Sequence, residues 1–193
     1  MRAAVLYESS HGQTAKIADA MGVILRERGY EVVVQRCRAS DSDRQIAQAD
    51  RVIIGSSVHA GRHSGRAAGL IRRAADALNA RPSAFFSVSM QASSDEPPQV
   101  QQMQQLADTF VAQCGWRPGR TVLFGGGLPY TRYNSLLRFV MKRISKSQGG
   151  PTDTSRDHEF TDWDAVREFT VRFAETDAAQ ADTATGETDQ AES

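Results

Sequence analysis

Cysteine is scarce in this sequence: Cys37 and Cys114 are the only two, far apart, with no C-x-x-C and no histidine at ligand spacing. That excludes a disulfide framework and a cysteine zinc site, and leaves two buried free thiols as the expectation. Long apolar runs are missing too. No stretch approaches the roughly 20 residues a helix needs to cross a bilayer, so any membrane association is expected to be peripheral. The opening MRAAVLY passes straight into a strand pattern without the apolar core of a secretory signal, so export is not expected. Net charge is zero, with 23 basic and 23 acidic residues, but the balance is uneven. Arg117, Arg120, Arg132, Arg138, Lys142, Arg143 and Lys146 crowd residues 117–148, which hold no Asp or Glu; the other 16 basic residues face all 23 acidic ones. Such a block fits a local anionic partner and speaks against general nucleic-acid affinity.

What is present fits one core in 193 residues. Short apolar, β-branched runs at Ala3–Tyr7, Val32–Val34, Val52–Ile54, Ala84–Val88 and Val122–Phe124 predict five strands. Between them, Ile17, Met21 and Ile24, then Ala67, Leu70, Ile71, Ala74 and Leu78, then Val100, Met103, Leu106, Ala107, Phe110 and Cys114 step round helices. A short helix within Arg44–Ala49 is expected between the second and third strands. Strands alternating with helices predict a doubly wound α/β domain with parallel crossovers, over residues 1–174. An insertion, about 126–158, interrupts the pattern after the fifth strand. A last helix is expected from a capping box of Thr161 and Asp164 to near Ala174. Residues 175–193 have no aromatic, large aliphatic or basic side chain, which predicts a disordered acidic tail.

In an open α/β sheet, ligands bind outside the carboxyl ends of the strands. Three segments fall there. Ser9, Ser10, His11, Gly12, Gln13 and Thr14 join the first strand to the first helix, where backbone N–H groups, hydroxyls and the helix dipole would cradle a phosphate. A plain turn and helix cap would use the same residue types. Neither the Lys of G-x-x-x-x-G-K-[ST] nor G-x-G-x-x-G is present, which favours a terminal monophosphate over a nucleoside triphosphate or NAD. The second segment, Ser56, Ser57, Val58, His59, Ala60 and Gly61, could carry a flat ring or be a surface loop. Its glycines oppose a helix, so His59 and His63 are not expected to share a metal. The third, Ser87, Val88, Ser89, Met90, Gln91 and Ala92, reads alone only as a loop.

Together the three segments resemble the phosphate loop and two ring-binding loops of flavodoxin-like proteins. LYESSHGQTAKIA, DRVIIGSSVHAG, RPSAFFSVSM, GWRP, GGPTDT and FTDW are, in that order, similar to flavodoxin-type, menaquinone-dependent protoporphyrinogen IX dehydrogenases. The resemblance implies a five-stranded parallel sheet of order 2-1-3-4-5 and FMN, its phosphate on Ser9–Thr14 and its ring between Ser56–Gly61 and Ser87–Ala92. It also implies oxidation of protoporphyrinogen IX in heme biosynthesis with menaquinone or another quinone as acceptor, in the cytoplasm at the inner face of the cell membrane. A homodimer is left open. Neither ring loop has Trp or Tyr, so stacking would fall to His59, Val58 or Met90, or to Tyr130 and Tyr133 of the insertion. His59 is the titratable ring-loop residue placed to act as a base, on position alone.

Within the insertion, Leu136, Leu137, Val140, Met141 and Ile144 fall on one helical arc, with Arg138, Lys142 and Lys146 opposite. That face, with Arg132 and Arg143, suits an anionic membrane surface or the propionates of a tetrapyrrole, although a helix packed on its own protein has the same pattern. A flavodoxin-like electron carrier, an NAD(P)H-dependent quinone reductase and a flavin-free interaction domain are the alternatives.

Overall fold

The computed structural model describes residues 1–128 and 158–176. Strands β1 (Arg2–Glu8), β2 (Glu31–Arg36), β3 (Arg51–His59), β5 (Ser83–Ser89) and β6 (Arg120–Gly125) pair in parallel in the order β2-β1-β3-β5-β6. The short β4 (Arg62–His63) turns back antiparallel on the end of β3, so this is the expected five-strand order with a hairpin added. Helices α1 (Gln13–Glu27), α2 (Ala39–Gln48), α3 (Gly65–Asn79), α4 (Pro97–Gln113) and α5 (Trp163–Glu175) fill the connections.

Successive strand residues point to opposite faces, and continuous apolar strands therefore feed two cores. Val5, Ile53 and Phe86 pack with Ile17, Met21 and Leu25 of α1 and Phe169 and Phe173 of α5. Their chain neighbours Leu6, Ile54 and Phe85 pack with Leu70 and Ile71 of α3, Val111 of α4 and Trp116. Gly55 has no side chain because Phe86 fills its place: a Cβ there would lie 2.0 Å from the ring. Both thiols, Cys37 and Cys114, are free and buried, and burial pushes that of Cys37 up to about 12.

Two boundaries differ from expectation. Helix α2 begins at Ala39 rather than within Arg44–Ala49. Its buried face is Ser42 and Ile46, and a fully buried serine in place of an aliphatic residue hides half the apolar stripe. Ser42 belongs there because its Oγ accepts from the Arg38 N–H at 2.9 Å. At α5 the cap is Asp162, not Thr161: the Asp162 carboxylate accepts from the Ala165 N–H at 2.9 Å. Thr161 is engaged elsewhere, its hydroxyl donating to the Gly125 carbonyl at 2.7 Å. The basic helix expected within the insertion and the acidic tail lie outside the described residues.

Candidate functional site

The loop after β1 is built to expose backbone. Gly12, the N-cap of α1, is left-handed at φ 96°, a conformation favouring glycine. Ser9 Oγ accepts from its N–H at 2.9 Å, which folds the loop back on itself. No side chain caps α1 among the described residues, so the first-turn N–H groups and the helix dipole are left for an anion. The Thr14 residue is buried beneath them. Gln13 contributes backbone only, because its Nε2 donates to Thr161 Oγ1 at 2.8 Å.

The second segment is a hairpin rather than a loop. Residues Ser56 to His59 extend β3, and Ala60 and Gly61, both at positive φ, make the two-residue turn into β4. Ser56 is fully buried and its Oγ receives the Ser64 N–H at 3.3 Å, while Ser57 and Val58 are half-buried and His59, Ala60 and Gly61 exposed. The two histidines diverge. His59 faces His11 of the first loop, ring centroids 5.2 Å apart, and burial, with the neighbouring His59, lowers the His11 pKa. His63 instead packs against Phe85 and Phe110, at 5.3 and 4.5 Å.

The third segment follows β5. Ser87, Val88 and Ser89 are buried in the strand, and Ser87 Oγ has no hydrogen-bond partner among the described residues. Ser89 Oγ accepts from the Ala92 N–H at 3.1 Å and so shapes a single 3-10 turn, Gln91–Ser93, that follows Met90. Met90, Gln91 and Ala92 are half-buried and follow directly on the carboxyl end of β5. The structure thus brings the three segments to one end of the sheet, with Ser56, Ser87, Val88 and Ser89 as support beneath the half-buried and exposed residues.

Tyr130, Arg132, Tyr133, Arg138, Lys142, Arg143 and Lys146 lie outside the described residues. The insertion's two ends are described, however, as an antiparallel ribbon of β7 (Gly127–Leu128) and β8 (His158–Glu159). That ribbon sits on the first turns of α1: Lys16 pairs with Glu159 at 2.9 Å, and a Cβ on Gly127 would meet Gln13 Oε1 at 3.2 Å. The insertion therefore springs from beside the candidate phosphate loop. Glu8, which heads the first segment in the sequence but carries no role there, is 4% exposed and held by Arg36 at 3.2 Å. A lone acid ending an apolar strand was the available signal.

Residues 4–155 match the flavodoxin domain family model. Over 174 residues the chain is 33% identical to protoporphyrinogen IX dehydrogenase (quinone) of Escherichia coli strain K12, covering 90% of this chain and 95% of that protein. The chain belongs to this flavodoxin-domain family. A Leishmania major relative of the same description is 32% identical over 174 residues, 88% of this chain and 73% of that one. Among solved structures, oxidised flavodoxin 2 from Bacillus cereus superposes with a TM-score of 0.56 at 18% identity, over 91% of this chain and 99% of that chain. At that identity the likeness speaks to the fold. A flavin is the cofactor a flavodoxin domain implies, and the residues present fit one: an uncapped helix start behind a left-handed glycine for the phosphate, and beside it the β3–β4 hairpin and the half-buried turn after β5. No described helix is long and apolar enough to cross a membrane.

Proposed function

We propose that the protein oxidises protoporphyrinogen IX to protoporphyrin IX through FMN and delivers the electrons to menaquinone or another membrane quinone. The observation that carries this reading is the match to quinone-linked protoporphyrinogen IX dehydrogenases over nine-tenths of the chain, beyond the flavodoxin domain itself. Ser9, Ser10, His11, Gly12, Gln13 and Thr14 hold the phosphate, chiefly through N–H groups and hydroxyls. Ser57, Val58, His59, Ala60 and Gly61 border the ring on one side and Met90, Gln91 and Ala92 on the other, over Ser56, Ser87, Val88 and Ser89. Bound FMN supplies the electron-accepting chemistry, and the protein supplies binding, orientation and electrostatics. An imidazole nitrogen of His59 is the ring-loop group able to take a proton from substrate.

The insertion meets the membrane at the inner face of the cell membrane through Arg138, Lys142, Arg143 and Lys146. The same reading gives Tyr130, Arg132 and Tyr133 to contact with substrate or membrane. Each basic residue at an anionic surface contributes about 1 kcal/mol, so neutralising Arg138, Lys142 and Lys146 weakens vesicle binding by roughly two powers of ten, less at high salt. Cosedimentation with anionic vesicles, beside an assay of porphyrinogen oxidation by quinone, tests this. Unchanged sedimentation refutes the membrane role. Turnover with NADPH in place of porphyrinogen identifies a quinone reductase, and turnover with neither identifies an electron carrier.

A further inference from the structure

A cavity of about 560 Å³ opens between the end of β2 and the first turns of α3. Four arginines line it: Arg36, Arg38, Arg66 and Arg73. Two are committed. Arg36 donates to Glu8 and to the Ser9 carbonyl, and Arg73 pairs with Asp43 at 3.3 Å. The guanidinium groups of Arg38 and Arg66 have no partner among the described residues; the bonds these two residues make there are backbone ones, the Arg38 and Arg66 N–H groups donating to Ser42 and Ser64 Oγ and the Arg38 carbonyl accepting from the Ser42 N–H.

Glu8 lies in the same cavity, 4% exposed, and while its Oε2 meets Arg36 its Oε1 is buried with no hydrogen-bond partner among the described residues. Buried polar atoms in native proteins are almost always paired, so a donor belongs beside this oxygen. One wall is left bare. A Cβ on Gly65 would meet nothing within 4 Å, and one on Gly69 only the Arg73 side chain at 3.6 Å. With Leu70, these glycines leave that wall without a polar side chain. The cavity thus presents two free guanidinium forks, one buried acceptor and an apolar wall. Its ligand should be an organic acid with more than one carboxylate and an N–H or O–H donor. A bare inorganic anion would satisfy the arginines but leave Glu8 Oε1 facing like charge.

Location narrows the class. Glu8 precedes Ser9 of the phosphate loop in the chain and stands opposite Ser56 of the ring hairpin in the sheet, so the cavity adjoins both through this residue. We propose that it grips the propionate edge of the tetrapyrrole, with Arg38 and Arg66 pairing with the carboxylates and Glu8 Oε1 accepting from a pyrrole N–H. This rests on the functional reading above and deepens it by assigning residues that select the substrate.

The test compares the flavin-loaded wild type with Arg38→Ala, Arg66→Ala and the double variant; Arg72→Ala removes an exposed arginine of α3 that does not line the cavity. Binding of protoporphyrin IX and of its dimethyl ester is followed by porphyrin fluorescence at fixed detergent, and KM is measured for the porphyrinogen and for quinone. The wild type should prefer the diacid over the diester by about tenfold, the scale of partly solvated Arg–carboxylate pairs. The double variant should lose that preference and raise KM for porphyrinogen by a similar factor. Its flavin content and KM for quinone should not change, and Arg72→Ala should match the wild type. A double variant that keeps the diacid preference, in a protein whose wild type turns over porphyrinogen, overturns this site alone. A wild type that neither binds porphyrin nor oxidises porphyrinogen overturns the functional reading beneath it.

Discussion

Acidification should loosen the ring hairpin through one residue, His63. Its imidazole stands on β4 against Phe85 and Phe110, with both nitrogens buried and, the looser approach of the Ser56 backbone apart, neither meeting hydrogen-bond geometry with a partner among the described residues. Burial pushes its pKa down from 6.5 to about 4, against a weak upward pull from the Ser56 backbone. Between those values the unfolded chain holds a proton that the native protein rejects. The stability due to neutral His63 is therefore complete above pH 6.5 and is lost as pH falls toward 4. At 1.36 kcal/mol per pH unit, the full span amounts to about 3 kcal/mol at most. Urea unfolding of the wild type and of His63→Leu at pH values from 7 to 4 gives the comparison, since carboxylates common to both cancel. The wild type should lose about 3 kcal/mol more than the variant, with half the difference reached near the middle of the window. Flavin affinity of the folded protein should hold through this window and fall only as pH drops through about 4, where native His63 on β4, the return strand of the hairpin carrying Ser56–Gly61, takes up its proton. Parallel pH dependences in the two proteins would refute the assignment of this proton to His63.

Other substitutions probe separate links. Gly12→Val forces a β-branched residue to φ 96°, and the protein should purify without flavin yet remain folded by circular dichroism. Gly55→Ala places a methyl group on the Phe86 ring and should cost about 1–3 kcal/mol in urea unfolding. Arg81→Met removes a guanidinium that donates to the carbonyls of Ala77, at 2.6 Å, of Ala49, at 2.7 Å, and of Ile46, and thereby ties the end of α2 to the end of α3. The loss should be about 2 kcal/mol in unfolding free energy with flavin content unchanged.

The parallel sheet was legible because its inner strands β1, β3 and β5 are buried on both faces and carry short apolar runs; β5, with all seven residues buried, is the clearest case, while the edge strands β2 and β6 are only half-buried. Helices α1, α3 and α4 were legible from their stripes. Helix α2 was not, because its buried face depends on Ser42, whose place is earned by a hydrogen bond that composition does not display. Thr161 and Asp162 are both good cap residues, and only the packing of Thr161 on Gly125 decides between them. In the site, the glycine and hydroxyl residues of Ser9–Thr14 announced themselves as a helix start. The hairpin did not, since Ala60 takes positive φ where sequence rules favour Gly or Asn. The arginine cavity draws Glu8 from β1, Arg36 from β2, Arg38 from the N-cap of α2 and Arg66 from α3, and no local pattern joins residues brought together by strand order.

Anaerobic mixing of the purified, flavin-loaded protein with protoporphyrinogen IX, followed by menaquinone, tests the assigned reaction most directly. Flavin absorbance should bleach on adding porphyrinogen, with the protoporphyrin bands appearing in step, and return on adding quinone. A flavin that stays oxidised with porphyrinogen yet bleaches with NADPH would contradict the assignment, as would protein that takes up no flavin.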